Sequence, residues 1–199
     1  TSGTLTLAGK SVTIVGPGAA VVEINGNEKR VFAVANGTLA ISGLTFRNGL
    51  AAGGHGGAIW ITGGQLSLAN CEFFDNAATG ISGGDGGFGG AVFATGAVVQ
   101  VTGCWFQNNT ATGARGLPLT DSAAGGGGGG AGLGGAICVL NGQASIFSTL
   151  LRTNGVLGGQ GGVGGQSKDV QNGGHGGEPG GGVGGTVGSI NGDVGGTYS

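Results

Sequence analysis

Apolar residues recur at fixed positions in a unit that the chain repeats. The clearest copy runs from Gly56 to Asn76; it begins with Gly-Gly-Ala-Ile and ends with Phe-Phe-Asp-Asn. A second copy begins at Gly89 and a third at Gly134. Repetition at intervals of a few tens of residues is the sequence signature of a solenoid.

Within each unit, apolar residues alternate with small or polar ones, as in Leu66-Ser67-Leu68. This period of two predicts short β-strands that turn one face toward a core. We assign three strands to a unit: one after the glycine pair, one around Leu66 to Leu68, and one from Cys71 to Phe73. Matching positions give five inward columns: Leu5, Phe32, Ile59, Val92, Ile137 and Val187; Leu7, Val34, Ile61, Ala94 and Val139; Val12, Leu39, Leu66, Val99 and Ala144; Ile14, Ile41, Leu68, Val101 and Ile146; and Phe46, Phe73, Phe106 and Leu151.

Three strands per turn, each paired with its equivalent one turn later, predict an all-β fold: a parallel β-helix of about six rungs. Neighbouring rungs would lie about 4.8 Å apart. Residues 1–199 would form a single domain of this kind. A shift of one residue would turn the apolar set of a unit outward, so the register is strongly specified.

The units differ in length only between the Asn that ends one and the glycine pair that begins the next. These segments hold most of the glycine, and we predict that they leave one corner of the solenoid as loops: 50–55, 77–88, 110–133 and 155–183. In the last of them, stretches such as 158–166 keep a period of three. That period favours a polyproline-II-like conformation with close glycine packing, and a flexible linker is the alternative.

Asn76, Asn109 and Asn154 share one position at the bend after the third strand, where the earlier unit has Gly49. Asn tolerates left-handed backbone, and its amide can bond to its own copy above and below. We therefore interpret these residues as a structural ladder. The phenylalanines of the third-strand column are its inward neighbours: Phe46, Phe73 and Phe106.

Composition and charge exclude several partners. Glycine supplies 55 of 199 residues, which alone favours disorder, but the apolar fraction is 38% and falls at repeat positions. A formal net charge of −2 with seven basic residues provides no surface for nucleic acid or an anionic membrane. No apolar run reaches the roughly 18 residues of a membrane span. The absence of Met and of a basic, apolar leader indicates a processed chain, and the composition favours an extracellular location.

The glycine pair and the Phe-x-x-Asn ending together resemble the repeat of polymorphic outer-membrane proteins and related autotransporter-like surface proteins. The matching segments are Gly56 to Ile59 with Phe73 to Asn76, Gly89 to Val92 with Phe106 to Asn109, and Gly134 to Ile137 with Leu151 to Asn154. The resemblance covers residues 31–154. It implies a right-handed β-helix, secreted or surface-exposed, that serves adhesion or self-association and has no catalytic residues. The long glycine-rich loops depart from that family.

Parallel β-helices also host polysaccharide-degrading enzymes, which need two carboxylates, or a carboxylate and a base, on one outer face. Glu72 faces outward, but its predicted neighbours are Thr45 and Trp105, and Asp75 lies at a bend. We therefore predict no catalytic site and no enzymatic activity.

His55 and His175 each lie in Gly-Gly-His-Gly-Gly, and Asp85 in Gly-Gly-Asp-Gly-Gly. A metal site needs three or four converging ligands, and these residues lie on loops of unequal length. We assign them structural or solvent-facing roles and predict no metal and no cofactor. The charged run Glu28-Lys29-Arg30 is interpreted as a solvated corner.

Cys71 and Cys104 occupy the same inward position in adjacent rungs. Rung spacing would place their Cα atoms within the reach of a disulfide, and free thiols would serve equally well as small core residues. Cys138 instead falls in the outward ladder of Trp60 and Phe93. This ladder is predicted to be an exposed apolar column, and such patches usually mark contacts.

The end rungs give the leading functional hypothesis. No polar cap is visible before Leu5 or after Val187, although solenoids need caps to stay soluble, and open strand edges pair with other strands. We expect a non-enzymatic structural or adhesive protein whose copies join head to tail. Its contacts would be the end residues and the outward column: Leu5, Leu7, Val187, Trp60, Phe93 and Cys138.

Two alternatives remain. The domain would bind or cleave polysaccharide, such as a cell-surface glycan, with Trp60, Phe93 or Trp105 as sugar platforms. Alternatively, flat Thr-bearing or glycine-rich faces would bind ice, although the outward ladders lack regular Thr columns.

Overall fold

The computed structural model describes residues 3–117 and 128–162, together with the backbone of two strands at 186–187 and 190–191. Over these residues the chain forms β-strands and no helix. In chain order the strands are β1 (Leu5–Ala8), β2 (Ser11–Val15), β3 (Glu23–Asn25), β4 (Phe32–Ser42), β5 (Thr45–Arg47), β6 (Leu50–Ala52), β7 (Ile59–Ala69), β8 (Glu72–Phe74), β9 (Ala77–Thr79), β10 (Val92–Thr95), β11 (Val98–Thr102), β12 (Trp105–Gln107), β13 (Thr110–Thr112), β14 (Ile137–Leu140), β15 (Gln143–Phe147), β16 (Leu150–Arg152), β17 (Gly155–Leu157), β18 (Thr186–Val187) and β19 (Ile190–Asn191).

Strands β1 to β17 form three parallel sheets. Sheet A has the order β1-β4-β7-β10-β14, with β2, β11 and β15 pairing alongside. Sheet B has the order β16-β12-β8-β5-β3, and sheet C the order β17-β13-β9-β6. Neighbouring strands come from successive repeat units, and from β4 onward the chain visits the sheets in the order A, B, C. The all-β class and the parallel pairing of equivalent strands are therefore confirmed.

The first and second strands that we assigned to a unit lie in one sheet, not on two faces. β4 and β7 run without interruption through both and pair along their whole length. Left-handed residues bend each of them midway, Asn36 at φ 50° and Gly63 at φ 65°. One such residue in β4, and two in succession in β7 (Gly63 and Gly64), change the strand direction without ending the pairing, so the alternation on both sides looks like two strands in the sequence.

The third face is sheet C, which lies where we predicted loops. Each of the four glycine-rich segments opens with one of its strands, as β9 does in 77–88. In three of these strands the inward residue is a buried alanine, Ala51, Ala78 or Ala111, and Val156 takes this position in β17. Three-residue strands with so small a buried side chain carry almost no apolar alternation, which is why the sequence pattern missed them. Only the remainder of each segment varies in length, and in the first two segments it returns from sheet C to the next strand of sheet A.

Stacked columns hold the core together. Ile59 pairs with Phe32 on one side and Val92 on the other, and Val92 pairs with Ile137. The phenylalanine column of sheet B stacks face to face, with ring centroids 5.0 Å apart for Phe46 and Phe73. The next pair, Phe73 and Phe106, is 4.6 Å apart. The predicted register is confirmed through these positions; Ile137 is partly buried and the others are fully or almost fully buried.

Val187 does not continue the column of Ile137, so that part of the prediction is wrong. β18 pairs antiparallel with β19, with Val187 opposite Ile190, in a separate two-stranded sheet. The physical reason is local: Gly188-Ser189 is a two-residue hairpin signal between apolar neighbours. Most of segment 155–183, with its period-three stretches, lies outside the described residues.

The asparagine ladder is confirmed, and it joins adjacent units. Asn76 Nδ2 donates to Asn109 Oδ1 at 2.9 Å, and Asn109 Nδ2 donates to Asn154 Oδ1 at 2.9 Å. Asn109 Oδ1 and Asn154 Oδ1 each also accept the backbone N–H of the preceding ladder residue. Asn76 and Asn109 are fully buried, so the ladder satisfies polar groups that have no access to water.

The ladder residues do not themselves take the left-handed backbone that we assigned to them. The residue before each of them does: Asp75 and Asn108 both have φ 55°, and Thr153 has φ 52°. This arrangement turns the chain at an exposed residue and directs the next side chain, the ladder amide, inward.

Among the described residues there is no helix with the length and apolar character that crossing a membrane requires.

Candidate functional site

One end of the stack is formed by β1, β2 and β3, which we call the first end face. Leu5 is 58% exposed there. Leu7, Val12, Ile14 and Ile24 are only partly buried, and they pack against the core from one side. Each of these strands pairs, within the described residues, with a single neighbour. The face therefore presents apolar side chains inside a row of free strand edges.

The opposite end is formed by β14 to β17, which we call the second end face. It contains a hollow of about 520 Å³ whose apolar lining includes Ile137, Val139, Ala144, Ile146 and Leu151. Ile146 is 42% exposed and Leu151 50% exposed. Along the described chain, these four strands also pair on one side only.

The two end faces carry the same columns. Leu5 and Ile137 end one column, as Leu7 and Val139 end the next, because each is linked through the intervening in-register pairs. Ile24 continues the phenylalanine column at the first end face by pairing with Phe46. Ile24 was not predicted in that column, because it lies 22 residues before Phe46 whereas Phe73 lies 27 residues after it, so the repeat spacing does not reach it.

The outward ladder of Trp60, Phe93 and Cys138 is in register but not exposed, which corrects its predicted role as a contact surface. Phe93 is 4% exposed and Cys138 8% exposed. The reason is a cover of neighbouring side chains. Arg30 places its guanidinium carbon 4.8 Å from the centroid of the Trp60 ring, a cation–π contact.

Arg30 and His55 hold this cover in place. Arg30 donates hydrogen bonds to the carbonyl oxygen of His55 at 2.8 Å and to that of Gly56 at 3.0 Å. The His55 ring stacks on Phe88 and meets Phe93 at a tilt of 40°, with both centroid distances at 4.6 Å. Arg30 is therefore a packing residue, not part of a solvated corner. Its packing role could not be predicted from the sequence, because its partners lie on other strands and loops.

Burial by these rings lowers the pKa of His55 below its usual 6.5. The nearby Arg30 charge lowers it further, and the Asp85 carboxylate acts in the opposite direction. His55 Nδ1 is buried without a hydrogen-bond partner. These features favour the neutral imidazole. His175 lies outside the described residues.

Cys71 and Cys104 are buried free thiols. The backbone N–H of Cys71 donates to Cys104 Sγ at 3.4 Å, so the two residues touch across adjacent units. The hydrogen bond between the thiols lowers the pKa of Cys71 to about 7 and raises the pKa of Cys104, whose burial acts in the same direction. The pair fills the core as small side chains do.

Of the predicted sugar platforms, Phe93 is buried and Trp60 is half-buried beneath Arg30; the third is Trp105. It is half-buried on the outer face of sheet B, and its ring meets that of Phe74 edge to face at 5.2 Å. Glu72 pairs with Trp105 across the strands and accepts a hydrogen bond from the Thr45 hydroxyl at 3.2 Å.

Over the described residues there is no group of three His, Cys, Asp or Glu side chains that would hold a metal ion.

Comparison of the chain with protein-family models, with curated proteins and with solved structures found no match.

Proposed function

We propose that this chain is a non-enzymatic structural or adhesive β-solenoid whose copies join head to tail outside the cell. The three sheets would close around the core as a right-handed parallel β-helix, to which the described residues contribute five rungs, one for each strand in the order β1-β4-β7-β10-β14. The repeated A, B, C order of the strands and the asparagine ladder between units support this winding.

The observation that carries the proposal is the identity of the columns at the two end faces. If the first end face of one copy lies on the second end face of another, Leu5 follows Ile137 and Leu7 follows Val139. Ile24 follows Leu151 in the same way. The junction would then repeat the apolar stacking and parallel pairing that every internal pair of units already makes.

This contact joins two different surfaces, so it leaves a free end of each kind after every addition. Heterologous contacts of this type produce filaments when the rotation between copies does not close a ring. Sheet C begins only at β6, so the junction would continue sheets A and B alone. It would accordingly be weaker than an internal contact, and assembly would depend on protein concentration.

Adhesion and the extracellular location belong to the same proposal. They are supported by the resemblance of the repeat to surface β-helix proteins, and by a net charge of −2 that gives no affinity for nucleic acid. Self-association is the part that can be tested on the purified chain.

Ile146→Lys is the test, because it places a charge in the hollow of the second end face while changing a side chain that is already 42% exposed. Gln100→Lys, on the exposed outer side of β11, is the matched control. We expect sedimentation velocity and negative-stain imaging to show growing particles for the wild type and for Gln100→Lys, and monomers for Ile146→Lys. Monomeric wild type at high concentration would overturn the proposal.

A further inference from the structure

The outer face of sheet B carries a compact group of aromatic and polar side chains that the end-to-end contact does not use. Alternation places Phe73 and Phe106 in the core, where both are fully buried. Their strand neighbours therefore face outward: Glu72 and Phe74 on β8, and Trp105 and Gln107 on β12. All four are half-buried, which leaves each with one accessible side.

The two rings form a fixed platform. Phe74 and Trp105 are diagonal neighbours on adjacent strands, with centroids 5.2 Å apart and ring planes at 77°. Arg47 extends the row on the other side, with its guanidinium carbon 5.2 Å from the Phe74 centroid. Arg47 is in turn held by Glu23, whose carboxylate lies 3.6 Å away. Side chains restrained in this way lose little freedom when a ligand binds.

Polar groups of both kinds surround the platform. The Glu72 carboxylate lies beside Trp105 and accepts one hydrogen bond from Thr45, and an ionised carboxylate can accept several. Gln107, opposite Phe74 in the register, brings an amide that both donates and accepts. Arg152 follows Gln107 on the next strand and is exposed.

These features match a sugar chain. A pyranose has an apolar C–H face that packs on an aromatic ring, and a rim of hydroxyls that both donate and accept hydrogen bonds. Tyr and Trp contribute strongly to binding surfaces for this reason, since they offer a large apolar area beside polar groups. Strands at a spacing of about 4.8 Å present their side chains at intervals similar to the length of a hexose unit.

The charges on this face decide which polysaccharide it fits. Glu23, Glu72 and Asp75 lie on this face with Arg47 and Arg152, which leaves an excess of one negative charge, too small to select an anionic or a cationic polymer. A neutral chain has no such requirement, and it can use the carboxylate and the guanidinium groups alike through its hydroxyls.

We propose that the outer face of sheet B binds a neutral polysaccharide, which stacks on Trp105, contacts Phe74 and hydrogen-bonds to Glu72 and Gln107. The site lies on the flank of the stack, and its four contact residues belong to neither end face. It goes beyond the proposed self-association, and a single chain can carry it out.

Affinity electrophoresis tests the proposal. The full chain is run in native gels that contain hydroxyethylcellulose, mixed-linkage β-glucan, xyloglucan or galactomannan, and in a gel that contains polygalacturonate as the acidic comparison. We expect at least one neutral polymer to retard the wild type more than polygalacturonate does. Trp105→Ala should weaken that retardation by about tenfold in apparent Kd, as loss of a central aromatic contact typically does.

Phe147→Ala is the matched control, because Phe147 is a 64% exposed aromatic on the second end face. It should bind as the wild type does. Gln107→Ala is a second variant that removes a polar contact and leaves both rings in place, and it should also weaken binding. Unchanged circular dichroism spectra would show that the variants fold.

The two proposals fail separately. Ile146→Lys should abolish assembly and keep polysaccharide binding, while Trp105→Ala should keep assembly and lose binding. The inference is overturned if no neutral polymer retards the chain, if polygalacturonate retards it as strongly, or if Trp105→Ala binds as well as Phe147→Ala.

Discussion

Asn109 shows how one side chain can join three units. Its amide takes part in four hydrogen bonds: Nδ2 donates to the oxygens of Phe73 and Asn154, and Oδ1 accepts from the backbone and the side chain of Asn76. The ladder was predictable because one residue type recurs at one position. Its geometry was not, since Asp75 and Asn76 both belong to types that tolerate left-handed backbone, and only the fold decides which of them turns inward.

Replacing Asn109 by Ala should lower the free energy of unfolding by about 3 to 5 kcal/mol, because several buried polar groups lose their partners together. Urea denaturation measures this directly. Asn108→Gly is the neighbouring control: Asn108 is exposed with φ 55°, a conformation that glycine adopts freely. Its change should stay within about 0.5 kcal/mol. Equal losses for the two variants would contradict a buried ladder.

Sheet C was not predicted from the sequence. Glycine residues allow the returning chain to lie close against this sheet. Gly87 donates its N–H to the Thr112 oxygen at 2.9 Å, and a Cβ at this position would overlap the carbonyl oxygen of Ala78. The strands of sheets A and B could be predicted because their large apolar side chains alternate with small or polar ones. In sheet C the packing is between backbone and alanine, so hydropathy carried no periodic signal.

Gly87→Ala should therefore destabilise the fold by about 1 to 3 kcal/mol, the range for overpacking a well-filled site. Gly84→Ala, in the same loop, is the control, because a Cβ there would meet its nearest atom at 3.4 Å, an ordinary contact. Thermal melts of both variants provide the comparison. A larger loss for Gly84→Ala would mean that the loop does not pack on sheet C as described.

The cover over Trp60 should respond to acid. Because the pKa of His55 is lowered in the fold, the unfolded chain binds the proton more readily, and stability falls as protons are taken up. The contribution of His55 is complete above about pH 6.5 and is lost as the pH falls below that value toward the lowered folded pKa.

His55→Phe keeps an aromatic ring against Phe88 and Phe93 but cannot titrate. The urea midpoint of the wild type should therefore drop more than that of His55→Phe between pH 7.5 and pH 5. Carboxylates common to both proteins cancel in this comparison. A wild type that is less sensitive to acid than the variant would contradict the stacked, neutral imidazole.

At the scale of the whole molecule, the stacked columns could be predicted from the sequence, whereas the burial of the outward ladder could not. Columns such as Phe32, Ile59 and Val92 could be predicted because each unit repeats them. The burial of Phe93, in contrast, depends on loop residues that do not repeat. Exposure of an outward ladder thus cannot be inferred from alternation alone. Each column ends at the first and at the second end face, so the two faces expose apolar residues of the same columns.

Complementary blocking of the two end faces tests head-to-tail joining most directly. Leu5→Lys blocks the first end face and Ile146→Lys blocks the second, and each variant alone should remain monomeric in sedimentation velocity. Mixed in equal amounts, they retain one intact face of each kind, so the account predicts a population of dimers and nothing larger. A mixture that stays monomeric, or a single variant that still grows into filaments, would contradict it.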